Sequence, residues 1–65
     1  MTWAKGQPVT FMYHGDVAYG AYLWTSKDGK HVAVQIHRIV RDGREISLPA
    51  RPQRMVTATT VLALD

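Results

Sequence analysis

A small antiparallel β-barrel of about five strands, all-β in class, is what this 65-residue sequence predicts. Three observations carry that prediction. β-Branched and aromatic residues fill the regular stretches, and glycine or proline interrupts them before a helical apolar period can develop. Turn residues recur between these stretches at the short spacing of all-β domains. Two of the turns are Asp-Gly pairs, Asp28-Gly29 and Asp42-Gly43, which suit a type I′ hairpin because both of its central residues take positive φ.

The elements follow in order. The first strand is expected over residues 8–14, where Val9, Phe11 and Tyr13 alternate with Thr10, Met12 and His14. Gly15-Asp16 breaks the run, and a second strand is expected over 17–26. The Asp28-Gly29 turn leads into a third strand over 31–40, and Arg41-Asp42-Gly43-Arg44 leads into a fourth over 44–48. Pro49 and Pro52 make 49–53 a loop or an edge segment, because proline cannot donate to a ladder. Met55–Thr57 can resume a strand, Thr59-Thr60 suggests a tight turn or one 3₁₀ turn, and a last strand is expected over 61–64. Residues 1–6 are expected to be loosely ordered ahead of a single domain spanning 1–65.

Turn chemistry also sets a register. A two-residue turn at Asp28-Gly29 places Thr25 opposite Val32, Leu23 opposite Val34 and Ala21 opposite Ile36. It pairs Trp24 with Ala33, Tyr22 with Gln35, and Gly20 with His37. Opposed side chains share a face, so Ala21, Leu23, Val34 and Ile36 form a core side. Tyr22, Trp24, Gln35 and His37 form the other. A two-residue turn at Asp42-Gly43 joins Ile39 to Ile46 and His37 to Leu48, which sets Ile39 on the His37 face. A β-bulge or sharp bend near His37-Arg38 reconciles the two hairpins, and such bends curl short strands into barrels.

Composition narrows the function classes. Without cysteine there is neither a disulfide framework nor a thiolate zinc finger. The chain is near the lower size limit for independent folding. Self-association is therefore expected, with edges near Pro49–Gln53 available to a second copy. The opening residues lack the apolar core of a signal peptide, and no apolar run reaches bilayer length; a soluble, cytoplasmic protein is the simplest expectation. Charge is uneven within the net +3: Lys5 and Lys27 cancel Asp16 and Asp28 in residues 1–29, and Asp65 supplies −1. Residues 30–54 carry Lys30 and five arginines against Asp42 and Glu45, six positive and two negative charges, or +4. That asymmetry favours an anionic partner.

The chain from 9 to 65 resembles the SH3-like small barrels, with four strands, a proline-broken segment, a short turn and a final strand. The tail Gln53-Arg54-Met55-Val56-Thr57-Ala58-Thr59-Thr60-Val61-Leu62-Ala63-Leu64 is similar to their strand, 3₁₀ turn and last strand. Within that class the chain resembles the plasmid-encoded type II dihydrofolate reductases, tetramers of such barrels around a central pore. That family carries Val-Gln-Ile-Tyr before its 3₁₀ turn, where this sequence has Gln53-Arg54-Met55-Val56. Val34-Gln35-Ile36-His37 has a similar spelling but belongs to the third strand. The departure argues against carrying over the reductase activity.

No chemistry-bearing constellation emerges. His31 and His37 lie six residues apart, roughly 20 Å along a strand, too far to share a metal ion. Asp16, Asp28 and Asp42 each stand beside glycine in turns, where aspartate serves local hydrogen bonding. Ser26 and Ser47 have no evident activating base. A non-enzymatic binding module without a cofactor is therefore expected. Tyr22 and Trp24, with Gln35 and His37 opposite them, offer stacking or interface area, unless they close one end of the core. Arg38, Arg41, Arg44, Arg51 and Arg54 form a basic group suited to phosphates, two of them flanking one turn and two bracketing Pro52. Nucleic acid is the favoured partner. An acidic protein, with the chain as an inhibitor or accessory subunit, is the alternative, and an oligomeric pore-type enzyme is the third reading.

Overall fold

A computed structural model describes residues 3–64. Six strands, all paired antiparallel, form one sheet: β1 (Pro8–Tyr13), β2 (Asp16–Thr25), β3 (His31–Arg41), β4 (Arg44–Ser47), β5 (Gln53–Thr57) and β6 (Leu62–Ala63). A 3₁₀ turn, Ala58–Thr60, joins β5 to β6. The spatial order is β4-β3-β2-β1-β6, and β5 pairs with β3. The all-β expectation holds, with one strand more than five. The addition is β5, which begins immediately after Pro52 and takes in all of the segment 53–57.

β3 organises the sheet. Its C-terminal half pairs with β4, from Arg38 opposite Ser47 to Arg41 opposite Arg44. Its N-terminal half pairs with β5, from His31 opposite Thr57 to Gln35 opposite Gln53. Between the two, Leu48 N–H donates to the His37 carbonyl and Ile36 N–H donates to the Pro52 carbonyl, each at 2.9 Å. β4 and β5 are thus two halves of one outer strand, and Pro49, Ala50 and Arg51 stand outside the ladder. The proline break expected over 49–53 is a local excursion; Gln53 itself is back in the sheet.

The second hairpin has the register that its turn dictates, and Asp42 (φ 51°) with Gly43 (φ 75°) gives the type I′ geometry. His14 (φ 50°) and Gly15 (φ 81°) make the same turn between β1 and β2. Asp28-Gly29 differs from expectation, since only Gly29 of this pair has positive φ. Gly29 N–H donates to the Ser26 carbonyl, and Ser26 N–H to the His31 carbonyl, so a four-residue loop connects the strands. The Asp28 carboxylate accepts from Ser26 Oγ and from Lys30 N–H. Those bonds stabilise its charged form and lower its pKa, the Ser26 bond most.

The first hairpin keeps its predicted pairs only near the loop, Thr25 with Val32 and Trp24 with Ala33. The register then shifts at Leu23, so that Tyr22 faces Val34, Ala21 faces Gln35 and Gly20 faces Ile36. Tyr22 enters the core as a result, and Leu23 is left half-buried. A second shift leaves His37 without a partner on β2, between Gly20–Ile36 and Tyr19–Arg38. This is the bulge that the two conflicting hairpins require. It admits no side chain at Gly20: a Cβ there would lie 1.8 Å from the Gln35 carbonyl oxygen.

Val9, Phe11, Ala18, Tyr22, Val32, Val34, Ile36, Ile39, Val56 and Val61 pack into one core. Trp3 and Tyr13 close over it, and the Trp3 and Tyr22 rings lie 5.5 Å apart. Ala4–Gln7 is tied to β2 through Gly6 N–H to the Tyr22 carbonyl and Tyr22 N–H to the Gln7 carbonyl. The first two residues of the leader expected over 1–6 lie outside the described region. β5 and the 3₁₀ turn also touch β1. No helix among the described residues is long and apolar enough to cross a membrane.

Candidate nucleic-acid interface

The shift at Leu23 separates the two aromatics of β2. Tyr22 is 8% exposed in the core and its hydroxyl bonds Thr25 Oγ1 at 2.6 Å, whereas Trp24 is 55% exposed. Trp24 and Met55 stand on either side of Ala33 in one cross-strand row, since Ala33 faces Trp24 on β2 and Met55 on β5. The small Ala33 side chain is buried as the floor between them. Together with Gln53 and Arg54 these residues line an open groove of about 290 Å³.

Arg54 is exposed, and its guanidinium donates to the Gln53 carbonyl at 2.8 Å. Gln53 lies directly opposite Gln35, and Gln35 Oε1 meets His37 Nε2 at 3.4 Å. Trp24 and Met55, then Gln53, Gln35 and His37, thus follow one another along one side of β3 and β5, while Arg54, opposite Val34, alternates with Gln53 and Met55. His37 is half-buried, and its pKa is lowered by desolvation first and by the Arg51 charge second.

Two of the five arginines are already paired with carboxylates. Arg41 donates to Asp16 Oδ2 through Nε and Nη2, at 3.0 and 2.8 Å. Arg38 pairs with Glu45, and its guanidinium lies 4.5 Å from the centre of the Tyr19 ring. These are the two carboxylate salt bridges among the described residues. Arg44 flanks the Asp42-Gly43 turn at one end of β4, and Arg51 lies beyond the other end, roughly 13 Å away along the strand. Glu45, counted against the arginines in the charge balance, is the partner of Arg38. Asp16 as the partner of Arg41 was hidden by a separation of 25 residues.

Comparisons with protein-family models, with curated proteins and with solved structures found no match. The site therefore stands on its own geometry. Among the described residues no three of His, Asp and Glu gather where they could hold a metal ion. His14 and His31 line a second depression with Met12, Tyr13, Arg54, Met55, Val56 and Thr57, between the end of β1 and β5. Sequence reasoning passed over Met55 and Gln53. Their alternation with the buried Val56 is the signal that could have placed them beside Trp24.

Proposed function

We propose that this chain is an SH3-like barrel that binds single-stranded nucleic acid without catalysing a reaction on it. The strand order, the split outer strand and the 3₁₀ turn before the last strand support the barrel reading, as does the approach of β5 to β1. The observation that carries the functional reading is Trp24: a large aromatic more than half exposed on a strand, in a groove that Arg54 also lines. An exposed indole costs solubility and little else unless something covers it, and every base offers a π-face to stack on it. Arg54 in the same groove supplies a cation for the neighbouring phosphate. A single strand fits better than a duplex, because Arg38 and Arg41 are already engaged by carboxylates.

The test is equilibrium binding of a labelled oligothymidylate, followed by anisotropy across a salt series. Phosphate contacts at Arg54 and Arg51 give a log–log salt slope of roughly −1.4 on a single strand. Arg44, at the far end of β4, adds about −0.7 only on a longer strand. Absence of binding to any oligonucleotide at low salt overturns the reading and leaves an acidic protein as the partner class.

A further inference from the structure

Arg51 occupies a costly backbone position. Its φ is +47°, in the left-handed region that a non-glycine residue adopts at a cost of order 1 kcal/mol or more. The other non-glycine residues with positive φ, His14 and Asp42, each precede glycine in a hairpin turn that demands it. Arg51 instead precedes Pro52, which further restricts the residue before it. Glycine or asparagine would suit this backbone better. The turn is otherwise well made: Pro49 presets its second position, and Arg51 N–H closes it on the Leu48 carbonyl at 2.9 Å.

The turn is anchored directly opposite His37. Leu48 holds the His37 carbonyl, and Pro52 accepts from Ile36 N–H. His37 is itself the bulged residue of β3, left out of register with β2. Two irregularities thus lie opposite each other in the same ladder, one carrying Arg51 and one His37, with Gln35 Oε1 3.4 Å from His37 Nε2. Asp16 and Glu45 are committed to Arg41 and Arg38, and Asp28 to its own loop.

We propose that Arg51, His37 and Gln35 form a phosphate-binding site whose occupation draws a proton onto His37. The proposal rests on the single-strand reading for its natural ligand, a phosphodiester, but the chemistry recognised is the phosphate group itself. Arg51 supplies the permanent charge and the planar donor pair, and the Gln35 amide supplies a neutral donor. His37 is held toward its neutral form in the empty site by desolvation and by Arg51. A phosphate placed between the two cations reverses that balance, and the imidazole takes its proton from solvent. Among the charged groups on the elements around His37, Arg51 belongs to the 48–52 turn, and Arg38 on β3 is occupied by Glu45 and Tyr19. The facing β2 residues are Tyr19 and Gly20.

The test follows the ring protons of the three histidines by NMR against pH, in the full chain, alone, with inorganic phosphate, and with oligothymidylate. The His37 titration moves upward on adding ligand, and those of His14 and His31 do not respond. Oligothymidylate binds on the order of tenfold more tightly near pH 5 than near pH 8, as one charge-assisted hydrogen bond gives. Arg51→Gly, which suits the left-handed backbone and preserves the fold, abolishes the ligand-induced movement. Movement with both ligands assigns a general phosphate site, and movement with oligothymidylate alone assigns a strand-specific one. No movement with either ligand, equal movement of all three histidines, or full movement in Arg51→Gly overturns the site. A His37 response to phosphate without any oligothymidylate binding sinks the single-strand reading and leaves this site standing.

Discussion

Tyr22 and Trp24 stand two residues apart on one strand, where simple alternation gives them the same face and the same fate. The extra residue at Leu23 divides them: Tyr22 packs with Val34 and Ile36, and Trp24 stands over Ala33 in an open groove. The comparison teaches that a single bulge lets one strand serve both core and surface with adjacent aromatics. Bulges commonly re-aim a side chain in this way. Tyr22 belongs to the core, Trp24 is exposed and carries the proposed binding, and substitutions on either side of the bulge should separate the two roles.

The largest effect is expected at the second irregularity, where Gly20 of the same strand lies against the bulged stretch of β3. Gly20→Ala sets a methyl 1.8 Å from the Gln35 carbonyl oxygen, and backbone cannot yield that distance without breaking the β2–β3 pairing. The loss should exceed about 4 kcal/mol, comparable to the whole stability of so small a domain. Circular dichroism should show an unfolded chain; a cooperative melt near the wild-type temperature would contradict the close approach. Tyr22→Ala comes next, at about 3–5 kcal/mol for a deleted core aromatic, a fall in melting temperature of at least 12 °C, taking roughly 4 °C per kcal/mol. Tyr22→Phe loses only the Thr25 hydrogen bond, about 1 kcal/mol. Equal effects of Tyr22→Ala and Trp24→Ala on melting would erase the distinction between the two rings.

Smaller effects belong to the arginines. Arg41→Ala removes an ion pair whose arginine side chain is 56% exposed, so the melting temperature should hardly change. Because Asp16 already neutralises Arg41, its loss should leave the salt slope of oligonucleotide binding unchanged. Arg54→Ala should reduce that slope by about 0.7. The smallest effect is the pH dependence of the free protein. His37 has a folded pKa below its ordinary 6.5, so the unfolded chain takes up the proton more readily. Its contribution is fully present above that ordinary value and declines as the pH falls through the folded pKa. Thermal melts of wild type and His37→Gln should diverge only on the acid side.

Much of this architecture was legible in the residues, because turn chemistry is local. Asp42-Gly43 set the second hairpin to the residue, and its conflict with the first hairpin located the bulge at His37. Thr59-Thr60 marked the 3₁₀ turn. The bulge at Leu23 was not legible, since no glycine or proline marks it; the choice of Tyr22 over Leu23 is made by the volume the core has to fill. β5 was obscured by Pro52, whose carbonyl accepts from Ile36 although its nitrogen cannot donate. The candidate site was legible in its residue types and not in its grouping. Arg38 and Arg41 find their carboxylates through the folded sheet, and Arg54 and Trp24 line one groove only because β5 lies beside β3.

The most direct measurement compares oligothymidylate affinity of wild type and Trp24→Ala at low salt, with a thermal melt of each. Stacking of one base on the indole is worth about 1–3 kcal/mol, so affinity should fall roughly 5- to 150-fold. The salt slope should be unchanged, and stability should move by no more than about 1 kcal/mol, as for an exposed side chain. An unchanged affinity, or a Trp24→Ala chain that no longer folds, would contradict the assignment of Trp24 to binding.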